Sequence, residues 1–338
     1  MKTLADIALG DDELGHEIRR EVDRIVSSLP DDASCLLTGS IIEGLGNRNS
    51  DIDVYVVHGS GALANPVALG MRQSRYVDCE YMTLGSLDQL ADRVSGDTGW
   101  AALLELPLSS VDRFYRVSVA VPARVAQGAE ATLKRFDRQL ACRTTRNWAL
   151  VNAHQLLARG ALLLASGDSH AAALHLRQAA LWSCTSALGD VGEGYASAKW
   201  AGEKAARHYR RDSARHRELT DDFLRPHGTP AELLARVRAS VTLPEELDAL
   251  LSARSCVLAE QVRHVPGTGS DHLVRGRSSV AEVGGAVADV CRELAAGSTW
   301  AQATSRTAAR WDVPVTEFRT ALWHRTAPLR STGFLLTD

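Results

Sequence analysis

The chain has 338 residues, 45% hydrophobic and 23% charged, with a formal net charge of −3, an ordinary balance for a globular protein but too long for one core. That balance supplies no global field for a polyanion, so nucleic acid is not an expected partner, and no apolar run reaches the ~18 residues of a membrane span. The six cysteines form no CxxC pair and read as reduced, buried thiols, and residues 1–10 lack a signal-peptide core, so a cytoplasmic protein is expected.

Residues 11–29 have helical spacing, with Leu14, Ile18, Val22, Ile25 and Val26 on one stripe. Residues 34–38 are a short apolar run of strand type, followed by Gly39-Ser40. From Asp51 to Val57 the chain alternates, with Ile52, Val54 and Val56 on one side and Asp51, Asp53 and Tyr55 on the other. Residues 75–83 alternate again, setting Asp78 and Glu80 opposite Val77, Cys79 and Tyr81. Residues 113–121 read as a further strand or a domain connection. Helical patterns then cover 128–165, 169–188 (stopped by Gly189), 196–225 and 230–263, punctuated by Pro226, Pro230 and Pro244. Residues 265–270 read as a linker and 271–338 as a small separate unit. The expected domains are therefore 1–127, 128–264 and 271–338.

The segment richest in chemistry is Leu36-Leu37-Thr38-Gly39-Ser40, then Asn47-Arg48-Asn49-Ser50-Asp51-Ile52-Asp53-Val54. Aspartates at i and i+2 of a strand share a face, so their carboxylates can bind the same hard divalent cations. A Gly-Ser turn exposes backbone N–H groups and a hydroxyl that suit a terminal phosphate. A third acid on a neighbouring strand would complete a two-metal site, in which one ion activates the attacking hydroxyl and the other steadies the leaving pyrophosphate.

Gly39-Ser40 followed by Ser50-Asp51-Ile52-Asp53 resembles the signature of the DNA polymerase β-like nucleotidyltransferases. The resemblance covers about residues 30–85 and lies nearest in feel to the aminoglycoside-type adenylyltransferases. It implies an α+β fold, a mixed sheet with helices, here followed by an all-helical domain and a small C-terminal unit. It implies a third acid on a later strand. Asp78 is favoured for that role, and Glu80, facing the same way, could share or replace it. Catalysis would then rest on Asp51, Asp53, Asp78 and Glu80, with Asp51, Asp53 and Asp78 holding two Mg2+ ions and Gly39 and Ser40 binding the nucleotide. Relatives with helical C-terminal domains often carry Lys-Trp on a helix facing the cleft. Lys199-Trp200 looks similar, which would bring Lys199 to the triphosphate, against the plainer reading of a surface lysine beside a core tryptophan.

The basic run Lys204 to Arg217 reads first as a solvated helix face and second as a further phosphate or acceptor contact. His170 and His175, five apart, share no helix face and suggest no metal site. In the C-terminal unit, Val280 to Leu294 reads as a helix, Ser298 or Thr299 as the cap of the next, and Val315 to Leu322 as a third. The order resembles a small winged helix and, more narrowly, PqqD-like domains, in which a sheet edge captures a peptide as an added strand. His272-Leu273-Val274-Arg275 could open that sheet. A unit so placed is expected to be separable from nucleotide binding and to serve acceptor choice.

The expected activity is magnesium-dependent transfer of AMP from ATP to a hydroxyl of a small molecule or peptide. Two alternatives stay open: a template-independent polymerase or cyclic-nucleotide synthase, and a non-catalytic peptide-binding adaptor.

Overall fold

The computed structural model describes residues 13–46, 50–59, 67–72, 75–95, 100–196, 198–211, 213–224, 227–276 and 279–337. Residues 1–12, Asn47-Arg48-Asn49 of the motif and Pro226 lie outside the described residues. Two compact units divide the chain: residues 1–148 with 185–210, and residues 149–184 with 211–338. This division cuts across the three segments expected from the sequence.

The first unit opens with α1 (Glu13–Ser28), β1 (Ala33–Thr38), the short α2 (Gly39–Ile42), β2 (Ile52–His58), β3 (Val67–Arg72) and β4 (Arg75–Thr83). Next come α3 (Leu84–Ser95), α4 (Trp100–Glu105), α5 (Leu108–Val119), β5 (Val121–Arg124) and α6 (Ala129–Leu133). The strands form one mixed α+β sheet in the order β3-β4-β2-β1-β5. β2 runs parallel to β4, and every other neighbour is antiparallel. All six residues of β1 are buried, as a strand with partners on both edges and cover on its faces requires. Ile18 and Val22 of α1 pack on the face made by Cys35, Leu37, Ile52, Val54, Val56, Val77 and Cys79. Period-2 alternation therefore turns Asp53, Asp78 and Glu80 to the opposite face. Arg124 ties the end of α1 to the start of β1, donating to the carbonyls of Val26, Leu29, Pro30 and Ala33.

Residues 113–119, expected as strand or connection, belong to helix α5, and only Val121–Arg124 is strand. The β-branched and aromatic content imitates a strand. The buried positions Val111, Phe114 and Tyr115 instead follow the i, i+3, i+4 spacing of a helix face.

Two long helices, α7 (Arg138–Ala165) and α8 (Ser169–Gly189), contain the first two of the three points where the division falls; the third follows Arg210. The first unit closes with a 3-10 turn (Ala198–Trp200) and α9 (Ala201–His208).

The second unit adds α10 (Ala214–Arg217), a π-helical stretch (Glu218–Leu224), α11 (Pro230–Ser240), α12 (Glu245–Ala253), β6 (Cys256–Leu258) and β7 (Val262–Val265). Its last part holds β8 (Asp271–Arg275), β9 (Ser279–Val283), α13 (Gly285–Ala295), α14 (Trp300–Arg310), α15 (Val315–Arg325), α16 (Ala327–Ser331) and β10 (Leu335–Thr337). The sheets are β7-β8-β9 and β10-β6. Helix α14 starts at Thr299 with a reciprocal capping box to Gln302, a cap readable from the sequence.

Three expectations change here. The helical reading of 230–263 holds only to Ala253, because residues 256–265 supply two strands. The stretch 265–270 is the end of β7 and the turn of the β7–β8 hairpin, so it does not separate modules; the Gly267 N–H donates to Asp271 at 3.2 Å. The helix expected from Val280 begins at Gly285, after β9. Ala158, Ala161 and Leu162 of α7 lie in one core with Cys256, Val262, Leu273, Phe318 and Leu335. All six cysteines are buried and none forms a disulfide. Among the described residues no helix is long and apolar enough to cross a membrane.

Candidate active site

The acids expected to carry chemistry converge on one face of the five-stranded sheet. Asp53 of β2 and Asp78 of β4 are register partners on adjacent parallel strands, as are Tyr55 and Glu80 one step along. Partners in a parallel pair project to the same side. Asp51 precedes β2 and is exposed. Thr38, the last residue of β1, is the register partner of Asp53 on its other flank, and Gly39 follows with φ +80°.

Gly39 is a position only glycine can hold. A Cβ there would sit 1.9 Å from Oδ2 of Asp53, and its φ lies in the left-handed region that other residues avoid. The carboxylate therefore lies against bare backbone, and Ser40 begins the next turn beside it. The Ser40 carbonyl accepts from the N–H groups of Leu45 and Gly46, at 2.8 and 2.9 Å, which closes the loop leading out of α2.

Burial pushes the Asp53 carboxyl up to about 6; Arg116 opposes the shift, while Asp78 and Asp51 add to it. Asp53 thus lies in the field of two further carboxylates, as in a site that gathers negative charge. Helix α5 supplies the answering cations. Arg116 pairs with Asp112 at 2.9 Å and reaches Asp53 at 3.4 Å, and its Nη2 donates to the Tyr195 hydroxyl at 2.9 Å. Arg113 pairs with Glu80. Asp112 is itself held above the usual carboxylate range, first by burial, with Arg116 opposing.

The two candidates for the third acid are thus distinguished by their surroundings. Asp78 acts on Asp53 directly, whereas Glu80 lies beside Tyr55 and is engaged by Arg113.

The oxygen-only donors Asp51, Asp53 and Asp78 suit a hard divalent cation such as magnesium in kind and charge. Their mutual repulsion is the kind that such an ion relieves. Among the described residues, no group of three or more His, Cys, Asp or Glu side chains is gathered closely enough to hold an ion as the side chains stand. Arg116 instead provides the positive charge beside Asp53.

Lys199 is exposed in the 3-10 turn, with its ammonium 5.1 Å from the centre of the Trp200 ring. The buried lysine of this unit is Lys204, with no exposed surface. Its ammonium sits 4.6 Å from the Tyr195 ring centre and 6.0 Å from that of Tyr115. Burial pushes its pKa down, and Glu43 and Glu193 pull it back up. Glu43 accepts from the Tyr115 hydroxyl at 2.8 Å, and Glu193 pairs with His208 at 2.7 Å and Arg207 at 3.2 Å. The basic run from Lys204 is therefore not a uniformly solvated face, since its first lysine is interior.

Arg113, Arg116 and Tyr195 escaped the reading of the sequence, and Lys204 entered it only as the first residue of a basic run. Asp112 and Arg116 stand four apart, an ion-pair spacing visible only once the segment is read as a helix.

No family model and no curated protein matches the chain. Eight solved chains match it. One is described as a nucleotidyltransferase-like protein from Exiguobacterium sibiricum 255-15. It shares 12% identity over 70% of this chain and 75% of that chain, with a TM-score of 0.36.

Proposed function

We propose that the chain is a magnesium-dependent nucleotidyltransferase that moves AMP from ATP to a hydroxyl of a small molecule or peptide. The observation that carries this reading is the pairing of Asp53 with Asp78 across adjacent parallel strands, beside Asp51 and against the bare backbone of Gly39. In this reading Asp51, Asp53 and Asp78 would hold two magnesium ions. When bound, magnesium supplies the positive charge that steadies the phosphates and acidifies the attacking hydroxyl.

The chain's own residues do the rest. Backbone N–H groups and the hydroxyl at Gly39-Ser40 hold the terminal phosphate. Asp78 accepts the proton of the acceptor hydroxyl, whose oxygen forms a bond to the α-phosphorus. The bond from that phosphorus to the bridging oxygen breaks, and pyrophosphate leaves with the electron pair. Glu80, engaged by Arg113, supports the site from one step along the strand. Arg116, held by Asp112 and Tyr195 as well as by Asp53, would stay beside the phosphates with a cation bound at Asp53. Lys199, exposed on the same unit, meets the triphosphate as a mobile point charge.

The test is release of pyrophosphate from each of the four nucleoside triphosphates, with magnesium or with chelator and with no polymer present, against panels of hydroxyl-bearing metabolites and peptides. Acceptor-dependent, metal-dependent release with ATP preferred is the expected result. Chain extension without a small acceptor would move the reading to a polymerase, and no release with any nucleotide would remove it.

A further inference from the structure

The proposed transfer leaves Lys204 of α9 without a part. Among the described residues it is the only lysine or arginine that is buried. Its Nζ lies 3.5 Å from the Tyr195 carbonyl oxygen, 4.6 Å from the centre of the Tyr195 ring and 6.0 Å from that of Tyr115. The two ring centres are themselves 6.1 Å apart, so one ammonium is held against both rings. Gly194 makes room for this packing, because a Cβ there would lie 2.6 Å from the Tyr115 ring. Glu43 and Glu193 favour the charged form of the lysine against the opposing effect of burial.

Each tyrosine hydroxyl leads away from the lysine to a different part of the acid face. That of Tyr195 accepts from Arg116 Nη2 at 2.9 Å, and Arg116 reaches Asp53 at 3.4 Å and Asp112 at 2.9 Å. That of Tyr115 donates to Glu43 Oε2 at 2.8 Å. Glu43 caps α2, the helix that begins at Gly39, and its N–H donates to the Gly39 carbonyl at 3.3 Å. The Glu43 carbonyl in turn accepts from Arg207 of α9 at 2.9 Å. Arg207 and the neighbouring His208 are themselves fixed by Glu193, at 3.2 and 2.7 Å. Helix α9 thus grips the Gly39 turn directly through Arg207, and grips both the turn and Arg116 through the rings around Lys204.

We propose that Lys204 is a positioning residue for the transfer, holding Tyr115 and Tyr195 together so that the Gly39–Glu43 turn and the Arg116 guanidinium keep a fixed spacing around Asp53. This inference rests on the transfer reading and adds a residue that acts without touching substrate. Direct contact with a phosphate is the poorer account, because the lysine has no exposed surface and its ammonium lies against two rings. Space-filling is poorer too, since an apolar side chain of similar volume would fill the site without the cost of desolvating a charge. Small errors of placement at a reacting centre cost on the order of a hundredfold in rate, which gives such a clamp its value.

The test uses the full chain below the thermal midpoint of every variant, with two readouts. The first is pyrophosphate release from ATP with magnesium and the panel of hydroxyl-bearing acceptors. Lys204→Met keeps the volume and removes the charge, and Tyr195→Phe keeps the ring and removes only the link to Arg116. Each is expected to lower kcat/KM by roughly 10–100-fold, the range for a residue that orients another. The double variant should fall no further than Lys204→Met alone, because both substitutions break one clamp. Lys204→Arg should restore part of the loss. The second readout is amide hydrogen exchange in chelator without nucleotide. Lys204→Met should speed exchange about tenfold at Glu43, Leu45 and Gly46, whose N–H groups donate to the carbonyls of Gly39 and Ser40. Val22→Ala, which loosens the same unit from the opposite face of the sheet, should change neither readout. No release by the wild-type chain overturns the transfer reading and this inference with it. With an active wild-type chain, this inference alone is overturned if the losses of Lys204→Met and Tyr195→Phe multiply, or if Lys204→Met affects turnover or exchange no more than Val22→Ala does.

Discussion

The acid face of the first unit and the arginines around Trp323 in the second are opposite in charge and built by the same means. In each, like charges from elements distant in sequence are held together at half-buried positions, where burial and repulsion both oppose the charged form. They differ in internal compensation. Asp53 and Asp112 share Arg116, and Glu80 has Arg113, so the acid face carries its own provisional cations. Around Trp323 the guanidinium groups of Arg330 and Arg254 lie over the indole, and Arg330 also donates to two neutral oxygens. A site that must hold a cation and release it benefits from a resident guanidinium that can step aside.

The comparison is broken most severely at Asp53. Asp53→Asn removes a proposed metal ligand while keeping its shape, so transfer is expected to fall by more than about a hundredfold, beyond the loss typical of a supporting partner. The fold should survive, because one of several repelling charges is gone. Steady-state rates and circular dichroism check both halves; turnover at the normal rate in the purified variant would sink the assignment.

Next in size is the contrast between the two acids of β4. As the proposed base, Asp78→Ala should cost roughly 10²–10⁴-fold in single-turnover rate. Glu80→Ala, which releases Arg113, should cost less. A larger loss at Glu80 would exchange their roles.

The two units should also respond to acid with opposite sign. His154, 5% exposed beside Thr320, is pushed by burial to about 4, as is His324. Both are neutral when folded, and an unfolded histidine binds its proton near 6.5. Their contribution is therefore present above pH ~6.5 and is lost as pH falls towards 4, roughly 3 kcal/mol for His154 alone. In the first unit Glu43 and Asp112 are raised by burial. Their folded forms bind protons first, so their penalty at neutral pH disappears as pH falls through the raised values. Hydrogen exchange between pH 7 and 4 in chelator should show protection declining in 149–184 and 211–337 while these two acids oppose the decline in the first unit. Uniform loss across both would show that burial of these groups does not govern acid stability.

The smallest effect is expected at Lys199. Lys199→Ala should raise the KM for nucleotide by about tenfold, the value of one charge-assisted hydrogen bond, with the fold intact. Lys204→Met should instead lower the thermal midpoint, because that ammonium is interior to Tyr115, Tyr195, Glu43 and Glu193. Unchanged nucleotide kinetics at Lys199 would return it to the solvated surface.

Local pattern alone determined a good part of this protein. The period-2 alternation of Asp51 to Val57 and of 75–83 made both segments strands and turned Asp53, Asp78 and Glu80 away from the core, because side-chain direction along a strand is a local property. The glycine before Ser40 and the cap at Thr299 were legible for the same reason. Tertiary structure alone decided the rest. The register that sets Asp53 against Asp78 depends on which strands pair, and α5 could be told from a strand only by the core its i, i+3, i+4 face fills. The joining of Ala158 and Leu162 to the core of residues 256–335, and of Arg254 to Arg330 around Trp323, spans separations over which sequence spacing carries no geometric information. Burial fixes the charge state of such groups, and burial is a property of the assembled core.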